Sequence, residues 1–433
     1  MFKKLGLLAT AFAFTFTLVG CGADDTADTT DENGNDDVVE NGDVVENGDV
    51  AYAHVQGVTD THIYVANSAA ASGPLAGVGV PFLAGMDAYF AMVNEDGGIH
   101  GRQIERVHID DEFDPAQAIS ALETFLHDDQ VFALVGHFGS TPIGATWPEI
   151  VRSGIPAVYF AGGIGVVYNE NATHGDGRNS FPVQPVFPME GRIFTAWAYG
   201  HFDAETIVVI HTDDDAGEDF IAGVTQEAQE LGIYENVHFV QVTTGAVDTT
   251  AAIAEALGHS PDVIIAGSIQ GTIRQIAGEL AAQNNTAPVL TSYVNADVSV
   301  ATDIYPNISG QFDLFASSWV NMDPEAMEDY QYWVAQVSSE DFSLNSFAMT
   351  GWIAAHFFAE GLRRTPADNI NWETFIDAME EAPIQNPFGP AVDFANGLRV
   401  GTQDLALVQM DGEEEAGWAP YLDFMNMEAI LAE

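Results

Sequence analysis

The chain has 433 residues, 47% hydrophobic and 11% aromatic, enough for a sizeable core and too apolar for general disorder. Its 11 lysines and arginines face 65 aspartates and glutamates, a net charge of −54 that excludes binding nucleic acid by phosphate neutralisation. One cysteine leaves no internal disulfide and no cysteine pair for structural zinc.

Lys3 and Lys4 open the chain, and Leu5 to Val19 form an apolar stretch short for a bilayer span. The cysteine follows at once, in Leu18-Val19-Gly20-Cys21. These four residues resemble the lipobox of bacterial lipoproteins. The resemblance implies a signal peptide over 1–20 and a lipid on the Cys21 sulfur, holding the chain to a membrane face. Residues 21–57 are rich in acids, Asn and Gly and include the near repeat DVVENGDVVENGDV. Such a segment repels itself and buries little, so it reads as a disordered acidic linker. Beyond Gln56 no apolar run approaches transmembrane length.

From Thr61 short apolar runs alternate with amphipathic stretches. IYVANSAA reads as a buried strand, and PFLAGMDAYFAMVNEDGG as a helix with Phe82, Met86, Tyr89, Phe90 and Val93 on one face. IERVHIDD is a strand, after which Asp114-Pro115 supplies an N-cap and a first-turn proline. VFALVG, a helix through Trp147 to Arg152, and IPAVYF continue the series. After Phe181 the alternation restarts with MEGRIFTAWAYGHF as helix and TIVVIHT as strand, and it runs on to the strand PVLTS. Later helices are expected from Pro324 and from Ser346 through Arg363. Two successive βα series mean an α/β protein of two Rossmann-like lobes, each with a parallel sheet, and a hinged cleft between them.

Ligands of open parallel sheets sit beyond the carboxyl ends of the strands, where helix N-termini offer amides. The loops that follow strands here are rich in small and hydroxyl residues. Gly139, Ser140 and Thr141 open one helix and could hold a carboxylate or carbonyl, although Ser140 could equally serve only as its cap. Tyr293 could close a pocket or simply pack between lobes. No phosphate-binding GxxxxGK[ST] and no GxSxG nucleophile elbow is present, and the 12 histidines lack metal-ligand spacing. Asp213, Asp214, Asp215 and Asp219 lack a calcium loop's spacing and read as an acidic helix start. No metal, no cofactor and no catalytic residue is expected.

The stretch ASGPLAGVG…GMDAYFAMVNEDGGIHGRQIERVHIDDEFDPAQA, followed by VFALVGHFGSTPIGATWPEIVRSGIPAV, resembles the leucine/isoleucine/valine-binding family, the type I solute-binding proteins of ABC importers. The likeness spans about 60–425, with a weaker echo in NPFGPAVDFANG. It implies lobe 1 over 58–183 plus 316–389 and lobe 2 over 184–315 plus 390–433, closing on one small solute. It places ligand loops on Gly139, Ser140 and Thr141 and on Ala161, Gly162 and Gly163. With Ser72, Phe138, Asp215, Ser268, Gln270 and Tyr293 these form the expected ligand-binding set. Three positions depart from amino-acid binders: Gly163 replaces a threonine, Ala216-Gly217 a Tyr-Gly, and Tyr293 the acid that pairs the ammonium. A buried ammonium without a partner is costly, so the solute expected is amino-acid-like, an amide or a small carboxylate rather than an ordinary branched-chain amino acid.

The implied function is a lipid-anchored, monomeric substrate-binding protein outside the cytoplasmic membrane or in the periplasm, partnered by permease subunits. The alternatives are a sensor feeding a membrane receptor and, with least support, an enzyme on the same scaffold.

Overall fold

The computed structural model describes residues 56–432 apart from 74, 270, 322–326 and 340–341. The expected signal peptide, Cys21, the acidic linker through residue 55, Gln270 and the helix start at Pro324 lie outside these residues.

The first lobe is built on strands β1 (His62–Ala69), β2 (Gln103–Asp110), β3 (Ala133–Phe138), β4 (Ala157–Ala161) and β5 (Ser180–Phe181). All are parallel, in the order β2-β1-β3-β4-β5. They alternate with α1 (Ala76–Glu95), α2 (Pro115–His127) and α3 (Ser140–Ser153). Asp114 caps α2 as the sequence implies, its side chain accepting from the Ala116 and Gln117 amides ahead of Pro115.

The chain then passes to the second lobe through α4 (Phe187–Ala196). There β6 (Ile207–Thr212), α5 (Asp215–Glu230), β7 (Val237–Val242), α6 (Thr250–Gly258), β8 (Val263–Gly267), α7 (Gly271–Ala282), β9 (Val289–Thr291), α8 (Val298–Ile308) and β10 (Leu314–Ser318) follow in βα alternation. It returns to the first lobe for α9 (Glu328–Val337), α10 (Ser346–Arg364) and α11 (Trp372–Glu380), then crosses a third time to β11 (Asp404–Met410), β12 (Trp418–Asn426) and α12 (Met427–Leu431). The second sheet runs β7-β6-β8-β9-β10-β11-β12. Its first five strands are parallel, while β11 lies antiparallel to both β10 and β12. The antiparallel ribbon is absent from the sequence reading. Every residue of β6 and β8 is buried, as expected where helices cover both faces of a parallel sheet.

α1 is long and apolar enough to cross a membrane by length and composition alone, contrary to the expectation that no such run exists beyond Gln56. Its apolar length goes instead into the core, where Phe82, Met86, Tyr89, Phe90 and Val93 are all buried. α1 crosses α10 at a glycine contact: a Cβ on Gly85 would stand 1.8 Å from the Ala348 carbonyl oxygen, and one on Gly351 1.8 Å from that of Phe82. The helices pack backbone to backbone there. Helix α1 also starts five residues before Pro81, because the carbonyl that proline leaves without a donor lies in an exposed first turn.

Candidate functional site

The carboxyl ends of β3, β4, β9 and β10 converge on a cavity between the lobes, about 800 Å³ with its mouth included. Phe82, Phe113 and Phe138 line it from the first lobe, Phe187 and Tyr293 from the second, and Trp319 from the crossing after β10. The lobes touch on both sides of it. The Gly165 amide donates to Asp219 Oδ2 of α5 at 2.7 Å, and burial pushes that carboxyl's pKa up. On the other side Ser346, at the start of α10, donates to Asp297 in front of α8.

Of the residues singled out in the sequence, Phe138, Gly139, Ser140, Ala161, Gly162 and Tyr293 line this cavity. Ser72 lies exposed above β1, hydrogen-bonded to Asp110. Thr141 sits one residue into α3, off the cavity wall, and Asp215 is exposed at the first turn of α5. Ser268 is buried next to the lining residue Ile269, and among the described residues its hydroxyl has no partner. Gly163 stands just behind the wall: a Cβ there would meet the Phe187 ring at 2.8 Å and the Tyr293 hydroxyl at 3.0 Å. The space a threonine would fill is thus taken by two aromatic side chains of the second lobe. Gln184, Phe187 and Trp319, on or beside the crossings, and Ser346 and Phe347, in the first turn of α10, also line the cavity and carried no binding signal in the sequence, since none lies at a predicted strand end.

Among the described residues, none that lines the cavity is charged. The nine arginines, all the cations beyond Lys3 and Lys4, are engaged elsewhere by carboxylates or carbonyls. Most polar side chains in the wall are also spent. Tyr159 donates to Gln184 Oε1 at 2.8 Å, Gln184 Nε2 donates to the Tyr293 hydroxyl at 2.6 Å, and that hydroxyl donates to the Pro185 carbonyl at 3.0 Å. Burial raises the pKa of both tyrosines, so they remain protonated donors. Ser318 donates to the Val320 carbonyl and Thr350 to that of Phe347, each at 2.8 Å. Behind Tyr293, the fully buried Glu190 accepts from Ser292 Oγ at 2.7 Å, from Ser317 Oγ and from the Tyr293 amide at 3.2 Å. Burial pushes its pKa up to about 7.

The exception is the start of α3. Its cap is Gly139, at φ 90°, where a Cβ would strike the Phe113 ring at 2.4 Å. Ser140 is therefore the first residue of the helix rather than its cap, and its side chain makes no capping bond. It is 7% exposed, and among the described residues no acceptor faces its hydroxyl, its amide or the Thr141 amide. Pro142 at the next position has no N–H. Two helix amides and a hydroxyl at the positive end of a 14-residue helix make a seat for an anion or a carbonyl oxygen. Gly162 leaves that seat open, since a Cβ on it would lie 3.1 Å from the Ser140 nitrogen.

A family model described as "Periplasmic binding protein" matches residues 62–416. The chain is 24% identical over 322 residues to a Leu/Ile/Val-binding protein homolog 1 of Brucella suis, covering 73% of this chain and 82% of that one. A branched chain amino acid ABC transporter structure from Thermus thermophilus with bound valine superposes with a TM-score of 0.75 at 15% identity, covering 86% of this chain and 98% of that one. A fatty acid ABC transporter substrate-binding protein from Thermomonospora curvata gives 0.74 at 17% identity, covering 88% and 96%. These structures share the two-lobed fold, and with the family match over most of its length the chain belongs to the periplasmic binding protein family.

Proposed function

We propose that this protein is the extracytoplasmic solute-binding component of an ABC importer, and that its solute is a small apolar acid with one anionic end and no ammonium group. The observation that carries the solute class is the cavity wall, mostly aromatic and aliphatic, without a charged side chain among the described residues, and with its unclaimed donors gathered at the start of α3. A carboxylate there gains charge-assisted hydrogen bonds and the helix dipole. An ammonium would meet no carboxylate among the described lining residues, and the nearby Asp297 is already held by four hydrogen bonds, so its lost hydration would go uncompensated. Each methylene of the apolar part adds about 0.8 kcal/mol on burial. The similar proteins span this choice, since one is described as holding valine and another as serving fatty acids. Support for a lipid anchor comes from Leu18-Val19-Gly20-Cys21, which would keep the binding lobes beside a membrane permease.

Calorimetric titration with leucine and with 4-methylpentanoate, its analogue lacking the amino group, tests the solute class. The acid is expected to bind about a hundredfold more tightly, or about 2.7 kcal/mol. Leucine binding as tightly as the acid would overturn the reading.

A further inference from the structure

Two helices begin at the cavity wall, α3 with Ser140 and α10 with Ser346, and their first turns are finished in opposite ways. The α3 amides are open. On α10, Asn345 Oδ1 accepts from the Phe347 amide at 3.0 Å and the Ala348 amide at 3.1 Å. The remaining donors, the Ser346 amide and hydroxyl, each reach Asp297 Oδ2 at 2.9 Å. Asp297 belongs to the other lobe. It caps α8, its Oδ1 accepting from the Ser299 amide at 2.9 Å and hydroxyl at 2.6 Å, while its carbonyl accepts from Trp418 Nε1 at 3.1 Å. The residue is fully buried, and among the described residues no lysine or arginine pairs with it. Four hydrogen bonds, two from each lobe, hold this carboxylate in place of a cation.

We propose that Asp297 is a specificity-determining residue: a built-in anion that fills the α10 N-terminus across the cleft, ties the lobes, and reserves the cavity for a solute with a single anionic end. The solute half rests on the monocarboxylate reading above. A second ligand carboxylate reaching the Ser346 side of the cavity would find its donors taken and a like charge beside it in a low-dielectric site. Such a ligand is refused, whereas an apolar end is accepted by the neighbouring Phe347.

The test compares wild-type protein with Asp297→Asn and Asp297→Ser, both polar residues able to cap α8, after circular dichroism has shown each to be folded. Each is titrated with hexanoate and with hexanedioate, and small-angle scattering is recorded on the protein as purified. Wild type is expected to prefer hexanoate about a hundredfold, and Asp297→Ser to narrow that preference at least about tenfold, a change of 1.4 kcal/mol, by taking the second carboxylate at Ser346. Both variants are expected to show a larger radius of gyration. A folded Asp297→Ser protein that binds hexanoate and still refuses hexanedioate as strongly as wild type would overturn the specificity role. If wild type takes neither acid, the monocarboxylate reading fails, and scattering alone then decides the role of Asp297. More extended particles in both variants support the tie between lobes, and an unchanged radius overturns it.

Discussion

Replacing Gly162 with valine is expected to weaken binding of an apolar monocarboxylate a hundredfold or more while leaving the protein folded. A Cβ at this position already stands 3.1 Å from the Ser140 nitrogen and 3.0 Å from Ile143 Cδ1. The two γ-methyls of valine would occupy the place of an acceptor oxygen about 2.9 Å from that amide. The ligand would lose one or two charge-assisted hydrogen bonds of roughly 1.5–3 kcal/mol each, hence the hundredfold loss. Alanine should lie between, since Cβ alone crowds the amide without covering it. Titration of both variants against wild type, beside matching circular dichroism spectra, measures the effect. A valine variant that binds within about threefold of wild type would show that the start of α3 does not hold the anion.

The second large effect concerns stability and the crossings between lobes. The Arg399→Met variant is expected to lose about 3–5 kcal/mol, as when one partner of a buried charge pair is removed. The Arg399 side chain is 1% exposed and lies over the Phe181 ring with Cζ 4.4 Å from its centroid. Its guanidinium donates to Glu380, to the Arg178 carbonyl at 2.6 Å, to the Phe394 carbonyl at 3.0 Å and to the Leu398 carbonyl at 2.8 Å. The backbone of Arg399 also pairs with Asn169, so one residue fastens the third crossing to the first lobe. Methionine fills much of the volume and satisfies none of those carbonyls. At an unfolding entropy of about 2.1 cal/mol/K per residue, the loss lowers the thermal midpoint by roughly 4–6 °C. A midpoint within about 1 °C of wild type would mean that the network is dispensable.

The first lobe was legible where local chemistry decides structure. Asp114-Pro115 marks a helix start whatever lies around it, and the apolar strands before Gly139 and Ala161 put their loops at a sheet's carboxyl end, where open parallel sheets keep their ligands. The β11–β12 ribbon was not legible. Much of Trp418–Asn426 is exposed, and its pairing depends on a partner strand across a seven-residue loop rather than on its own periodicity. The same holds for half of the cavity. Gln184 and Trp319 sit on crossings, and Phe347 lies in the first turn of a helix whose N-terminus meets the other lobe only after the chain has crossed twice. Gly163 shows the limit in another form: the missing side chain was visible, but not that Phe187 and Tyr293 occupy its place.

The most direct test is an amide spectrum of ¹⁵N-labelled protein titrated with 4-methylpentanoate. The account predicts large downfield shifts of the Ser140 and Thr141 amide protons as each gains a charged acceptor, with the Ser346 amide, already bonded to Asp297, moving little. Saturable binding that leaves Ser140 and Thr141 unmoved and shifts other cavity amides instead would contradict it.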